Sequence, residues 1–470
     1  MRKDRANSSD WSALIPVLPG EGPRRVALYA ELRRLIETRQ LAPGAKLPPT
    51  RALATRLGVA RGAVVAAFEQ LVAEGFAEAR VGAGTFVATA VPSLAPEPAR
   101  PARPRRREVE ALPGRLGTAA PDSRTLALFG RLLQRQLARP VPSCFHYGDP
   151  QGEPELRAAI ADYLRAARGV RLHADQVVVT HGAQHAIDLV ARGVLAPGDE
   201  VWIEDPGYGS AVACLRGAGL SLVPVAVDAE GLDPAAGIAR APRARAAYVT
   251  PSHQFPMGVV LSMRRRLALL AWAREAGAWI LEDDYDSEFR YNGPPLASLQ
   301  GMDGGGRVVY VGTFSKALFP GLRIGYAVLP EPLIEPVLAL RDRGDRYPSP
   351  LLQGALAAFL REGHFAAHLR RARARARAAR DALVAGLAAG GLAVRPPDQG
   401  LHLVLDLVDG LDEADAVARA AQAGLSARAL SGLHLARPVR RGLVVGFSGF
   451  APQALEEAAR RFGEAARRPS

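Results

Sequence analysis

Apolar residues recur along this chain with two different periods, and the places where the period changes divide it. From Val26 to Gln40, Leu28, Leu32, Leu35 and Ile36 fall at helical spacing. Pro43, Gly44 and Pro48 interrupt the pattern. A second helix is predicted over Thr50–Leu57, opened by Pro48-Pro49-Thr50 and stopped at Gly58. A third is predicted over Ala60–Glu74, with Val64, Ala67, Phe68 and Leu71 facing inward. Phe76–Val81 and Thr85–Val87, flanking Gly82-Ala83-Gly84, then predict a β-hairpin. Three helices with a short turn between the last two, followed by a hairpin, make a winged helix-turn-helix, an α+β unit spanning 22–90.

Residues 91–120 show neither period. Pro92, Pro96, Pro98, Pro101 and Pro104 and the run Arg105-Arg106-Arg107 predict an extended spacer. From 121 to 470 the chain alternates again. Gln176–Thr180, Glu200–Ile203, Ser221–Val227, Ala246–Thr250, Ala278–Leu281 and Val308–Val311 are apolar, β-rich runs. Helical stretches such as Ala183–Leu195 and Arg264–Ala276 lie between them. That order predicts an α/β doubly wound sheet with ligand at the carboxyl ends of its strands. From about Arg341 a smaller α+β subdomain is expected, with helices over Pro350–Leu387 and strands over Leu401–Leu407 and Gly442–Phe447.

Composition narrows the class. A chain of 470 residues, 48% hydrophobic, holds ample core for two to four domains. No apolar run is long enough for a membrane span, and the N-terminus lacks the apolar stretch of a signal peptide. Cys144 and Cys214 offer neither a disulfide framework nor zinc spacing, so no metal is expected. A cytoplasmic bacterial-style protein is the simplest expectation. Net charge is +13, unevenly placed: residues 1–110 carry 18 Lys and Arg against 11 Asp and Glu, and 111–470 carry 42 against 36. The denser positive charge of the first quarter favours an acidic polymer, double-stranded DNA first, as its partner.

Only three of the 60 basic residues are lysine: Lys3, Lys46 and Lys316. Arginine stays protonated in a protein, whereas a desolvated lysine loses its proton and can form a Schiff base with an aldehyde. Lys316 follows the strand-like Val308–Val311. Position alone leaves open whether it is a reactive amine or an ordinary loop lysine. Other strand ends bear on the choice. His181-Gly182-Ala183-Gln184 closes a strand and opens a helix, whose free N–H groups suit a phosphate. Tyr208 follows the next strand and offers a ring to stack on. His253 follows a third, and the acidic stretch from Glu282, with Asp283 and Tyr285, a fourth. Ser315, Lys316 and Arg323 follow the fifth. These are the groups that pyridoxal 5′-phosphate (PLP) needs: an amine for the aldehyde, a carboxylate for the pyridine nitrogen, and a helix start with hydroxyl and guanidinium for the phosphate.

The motifs also carry family resemblances. LYAEL, LAPGAKLPPTRALATRLGVARGAV and GAGTFV resemble the DNA-binding domain of the GntR family. That resemblance implies that Thr50, Arg51 and Arg61 face DNA and that Gly84 and Thr85 lie in the wing. Ala60, Gly62 and Ala63 stand where that family usually has polar residues around the start of the recognition helix. The second half resembles the fold-type I aminotransferases, which implies the following roles. Lys316 anchors PLP, Asp283 pairs with its ring nitrogen, Tyr285 bonds its 3′ oxygen and Tyr208 stacks on the ring. Gly182, Ala183, Gln184, Ser315 and Arg323 hold the phosphate, His253 lies near the ring, and Tyr147 reaches the phosphate of a neighbouring subunit. The two halves together, with TPSHQFPMG, EDDYDSEFRY and GTFSKALFPGLRIGY, resemble the MocR/GabR regulators. The expectation is a head-to-tail homodimer that binds DNA in response to PLP or an amino-acid effector. Val444, in LVVGFSGF, stands where aminotransferases carry an arginine for the substrate carboxylate, and Ser210 is neutral where a basic residue would help. Arg395, Arg440 and Arg441 are nearby candidates to replace it. A sensor with weak or absent transaminase activity and an aminotransferase that keeps a DNA-binding domain both remain open on the sequence.

Overall fold

Leu28, Leu32, Leu35 and Ile36 are all buried on the inner face of α1 (Arg24–Glu37), as their spacing predicts. The structure, a computed structural model, describes residues 23–90, 112–293, 296–407, 410–438 and 440–467. The chain forms two compact units, Met1–Val109 and Glu110–Ser470. In the first, α1 packs with α2 (Thr50–Leu57) and α3 (Arg61–Ala73) over Val64, Ala67, Phe68 and Leu71. Gly58 ends α2 in the left-handed conformation, φ 64°. Strands β1 (Ala77–Arg80) and β2 (Gly84–Val87) pair antiparallel, with Arg80 opposite Gly84. The expected winged helix-turn-helix is present.

The second unit is built on eight strands: β3 (Val177–Thr180), β4 (Glu200–Asp205), β5 (Ser221–Asp228), β6 (Gly231–Leu232), β7 (Ala246–Val249), β8 (Trp279–Asp284), β9 (Val308–Thr313) and β10 (Gly325–Val328). Their order is β3-β10-β9-β8-β7-β4-β5-β6. Strands β9, β8, β7, β4 and β5 run parallel, and β3 shares their direction because it and β9 both pair antiparallel with β10. Six carboxyl ends therefore share one edge. Both faces are covered. Along β9, Val309 and Val311 pack in one apolar layer and Tyr310 in the opposite one, the two-sided burial that near-continuous apolar strands require.

Strands β4 and β8 run further than the apolar pattern suggests, because their acidic ends are buried too. Glu282, Asp283 and Asp284 are 0%, 3% and 5% exposed. Glu282 accepts from the backbone N–H groups of Leu299 (2.9 Å) and Gln300 (3.0 Å). Asp284 accepts from Arg168 Nε (2.7 Å) and from Tyr310. Strand β10 is short and carries no alternation, and the sequence reading has no strand there.

The smaller subdomain holds β11 (His402–Leu405), β12 (Arg428–Ala429) and β13 (Leu443–Gly446), in the order β11-β13-β12, against the helices His364–Ala389 and Pro452–Ala466. The helical region from Pro350 is broken at Gly363 (φ 75°), which separates Pro350–Arg361 from His364–Ala389. Residues 112–120, expected as the end of the spacer 91–120, are folded into the second unit. Ser426 N donates to Pro113 O (2.6 Å), Gly446 N to Gly114 O (2.8 Å) and Ser448 Oγ to Thr118 O (2.6 Å). Residues 91–111 lie outside the described part. Among the described residues no helix is long and apolar enough to cross a membrane.

The Arg168–Asp284 pair ties the helix Pro154–Arg168 to the strand that carries Asp283, and its side chains are only 5% and 2% exposed. Removing one partner leaves a buried charge uncompensated. Arg168→Met is expected to destabilise the second unit by about 3–5 kcal/mol, measured by denaturant unfolding; an unchanged midpoint would contradict this role.

Candidate functional site

The carboxyl ends of β8 and β9 open on a cavity of about 360 Å³. Thr313 ends β9 and caps the short helix Phe314–Ala317 by accepting from Ser315 N (3.1 Å). That turn sets Ser315 and Lys316 into the cavity. Burial holds the Lys316 amine below its ordinary value, against the opposing pull of Asp286 and Asp283. Asp283 faces it from β8. Burial pushes its carboxyl up to about 7, although the Tyr248 hydroxyl, donating to Asp283 Oδ2 at 2.6 Å, favours the ionised form. Asp283 Oδ1 is buried with no hydrogen-bond partner among the described residues. A buried polar atom without a partner is rare and marks a place for a ligand donor.

A second wall comes from β3. Gly182 has φ 111° and stands before the helix Ala183–Val194. Only glycine adopts that backbone freely, and a Cβ on neighbouring Gly325 would lie 2.7 Å from Gly182 Cα. Arg323, itself in the left-handed region at φ 51°, brings Nη1 to 3.7 Å from where a Cβ at Gly182 would stand. The free N–H groups of the helix start and this guanidinium converge where an anion fits. Gln184 donates Nε2 to Ser210 O (2.8 Å), and its Oε1 has no hydrogen-bond partner among the described residues. Tyr208, edge-on to Phe255 at 5.6 Å, lines the cavity beside Gln184 and Tyr285.

The structure thus brings Gly182, Ala183, Gln184, Tyr208, Asp283, Tyr285, Ser315, Lys316 and Arg323 to one cavity. It does not bring His253 or Tyr147 to its wall. His253 stands behind Tyr285, with Nδ1 3.0 Å from the Tyr285 hydroxyl and 2.9 Å from Asp286. Tyr147 is 81% exposed and lies under the Arg346 guanidinium, 4.4 Å away. Among the lining residues that escaped the sequence reading are Tyr248, Leu116, Gly117 and Arg428. Tyr248 reads as plain core within the buried run of β7. Leu116 and Gly117 belong to a stretch expected to be spacer, yet both line the cavity, and a Cβ on Gly117 would lie 2.8 Å from Lys316 Nζ. Arg428, on β12, is one arginine among many and carries no local signal.

The residues fit PLP. The amine, the unpartnered carboxylate oxygen and the glycine–arginine turn are the three contacts that its aldehyde, ring nitrogen and phosphate require.

In the first unit, Ala60 precedes α3 and gives no side-chain cap, as an alanine must. Arg61 opens α3, while Thr50 and Arg51 open α2. Both arginines are exposed, and neither is paired with a carboxylate among the described residues. Gly84 and Thr85 begin β2 at the hairpin tip. Exposed, unpaired guanidiniums at two helix starts suit phosphate and base-edge contacts.

Comparison with known proteins agrees with both halves. Residues 24–87 match the gntR family of bacterial regulatory proteins, and 131–444 match aminotransferase class I and II. The chain is 38% identical to the probable rhizopine catabolism regulatory protein MocR of Rhizobium meliloti, over 93% of this chain and 92% of that protein. It is 35% identical to the HTH-type pyridoxine biosynthesis transcriptional regulator PdxR of Corynebacterium glutamicum, over 93% and 94%. Among solved structures, the kynurenine aminotransferase of Pyrococcus horikoshii superposes with a TM-score of 0.68 at 26% identity, covering 74% of this chain and 90% of that one. The α-aminoadipate aminotransferase LysN of Thermus thermophilus gives 0.67 at 25%, covering 75% and 92%.

The raised Asp283 carboxyl has a consequence for stability. Its folded value, about 7, lies above its unfolded value near 4, so the folded state holds the extra proton between them. Stability of the cofactor-free protein therefore falls as pH rises from about 4 to 7, by up to roughly 1.4 kcal/mol per pH unit from this group. Asp283→Asn is expected to flatten that slope and to stabilise the cofactor-free protein at pH 7, followed by thermal unfolding across that range. An unaltered slope would contradict a buried Asp283 carboxyl that holds its proton above the ordinary range.

Proposed function

The chain belongs to the MocR-type regulators, a gntR-family DNA-binding domain followed by an aminotransferase class I and II domain, and we propose that occupancy of the Lys316 cavity sets how the winged helix engages DNA. It is a PLP-binding transcription regulator, and its first unit binds double-stranded DNA. The chemistry PLP supplies when bound is an aldehyde for an amine and an electron-withdrawing ring. The protein's part is to hold it: Lys316 offers an amine whose proton burial loosens, Asp283 an ionisable carboxyl, and Arg323 with the Gly182 turn a phosphate seat.

One observation carries the coupling. The first described residues after 111, Leu116 and Gly117 among them, form cavity wall beside Lys316. A ligand in that cavity must meet the stretch of chain that continues from the spacer. Differential contact with that stretch is the free-energy source a ligand needs to shift an equilibrium. A relative named for pyridoxine biosynthesis and another named for rhizopine catabolism support an effector that is PLP itself or an amino compound joined to it. A homodimer accords with the exposed Tyr147 and Phe145, 81% and 71% accessible in the single chain. A regulator of chromosomal DNA acts in the cytoplasm. Turnover as an aminotransferase is the second reading. Against it, Val444 is fully buried among Leu116, Phe255 and Val404, so β13 presents no arginine to a substrate.

The test is affinity for DNA from the protein's own upstream region, at fixed salt, with and without PLP. Wild-type affinity is expected to change by about 5-fold or more on adding PLP, and Lys316→Ala to abolish that change while still binding DNA. Equal affinity in both conditions would sink the reading.

A further inference from the structure

A second cavity, of about 310 Å³, lies beside the first and shares Lys316 with it. One wall is the helix His364–Ala389, which presents Ala372, Ala376 and Ala379. Residues at i, i+4 and i+7 stand on one helix face. All three are buried, and the space in front of them exists because their side chains are short. Phe289, Leu318 and Phe450 form further wall. Protein interiors are close-packed, with few voids larger than a water molecule. A recess of this volume falls in the range of small-molecule sites.

The two cavities differ in what they leave unsatisfied. The cofactor cavity keeps Asp283 Oδ1 and Gln184 Oε1 without hydrogen-bond partners among the described residues. In the second, every polar side chain other than Lys316 is already engaged. Asp122 accepts from Arg371 Nε and Arg375 Nη1, both at 2.8 Å. Ser448 Oγ donates to Thr118 O at 2.6 Å. His368 Nε2 donates to Ala317 O at 2.7 Å, since a carbonyl only accepts, and Nδ1 accepts from Thr125 Oγ1 at 2.8 Å. An ordered water needs two to four polar partners, and these groups offer none. What remains is alanine, leucine and phenylalanine surface, on which an apolar group gains by leaving water.

We propose that this recess holds the hydrocarbon body of the effector. The ligand class is a primary amine carrying an aliphatic or aromatic group of several carbons, with its nitrogen beside Lys316 and its hydrocarbon against Ala372, Ala376 and Ala379. The proposal deepens the reading of the neighbouring cavity as a PLP site and rests on it. An amine that joins PLP comes to the aldehyde carbon held by Lys316, and Lys316 is the residue the two cavities share. The exchange balances: the C–N bond to Lys316 breaks as one to the incoming amine forms, the protons given up by the incoming nitrogen go to Lys316, and nothing is oxidised or reduced. The polar cavity is taken by the cofactor, so the body of the amine has the alanine-walled side to enter. Ala119 and Ala120 line that side too. A body seated there therefore meets the stretch of chain that continues from the spacer.

The test uses the full-length protein loaded with PLP, titrated with straight-chain primary amines from ethylamine to hexylamine and with phenethylamine. The readout is the concentration that half-shifts the cofactor's visible absorbance. In the wild-type protein it is expected to fall about fourfold for each added methylene until the recess is full. Ala376→Phe, which fills the recess, is expected to flatten that dependence while PLP affinity and the ethylamine response stay within about twofold of wild type. Ala372→Leu, one turn away and smaller, makes the same comparison if the larger substitution prevents folding. The proposal is overturned if the wild-type series is flat, if the filled variants keep the wild-type dependence, or if they weaken ethylamine as steeply as hexylamine. That last result would place their effect on Lys316 itself. Failure of the wild-type protein to take up PLP at all would instead overturn the reading of the cofactor cavity.

Discussion

Desolvation of an amine and a carboxyl in one cavity is the constraint on which the rest of the second unit depends. Burial favours the neutral form of both Lys316 and Asp283. A neutral amine is a nucleophile, and a carboxyl poised near 7 would readily give its proton to a basic ring nitrogen and stay beside it as the carboxylate. Neither group could be held this way on a surface loop. Both need strands whose ends stay inside the protein, and β8 and β9 provide them by running buried through Asp284 and Thr313. The acidic end of β8 is tolerable because each carboxylate has its own partner: two backbone N–H groups for Glu282, Tyr248 for Asp283 and Arg168 for Asp284.

The same cavity is closed by chain that arrives from the spacer. Residues 112–120 are bound to the small sheet through Pro113 and Gly114 and pass close over Lys316 at Gly117. A ligand there competes for space with this stretch or packs against it. A catalytic site and a sensing site can therefore share one set of cofactor contacts and differ in what lies above them. Val444 of β13 is fully buried, so that strand presents no guanidinium to the cavity.

Much of this was legible in the sequence. The winged helix follows from helical spacing and its Pro and Gly breaks, and the parallel sheet from alternating short apolar runs. Lys316 stood out because lysine is scarce, and Asp283 and Arg323 because they follow strands. What escaped has identifiable physical reasons. Strands β4 and β8 looked shorter than they are because a buried carboxylate reads as a strand end unless its partner is known, and the partners lie 17 to 231 residues away. Tyr248 and Arg428 reach the cavity only through tertiary placement, on strands distant in sequence, and neither leaves a local pattern. Residues 112–120 look like spacer because they pair through backbone groups, which carry no side-chain signature.

The most direct test is chemical. Full-length protein incubated with PLP is reduced with borohydride, digested and mapped for phosphopyridoxyl-lysine. With lysine at only positions 3, 46 and 316, the answer is unambiguous. The account predicts modification at Lys316 in near-stoichiometric amount, with Lys3 and Lys46 largely untouched. Absence of modification at Lys316, or equal modification of all three, would contradict it.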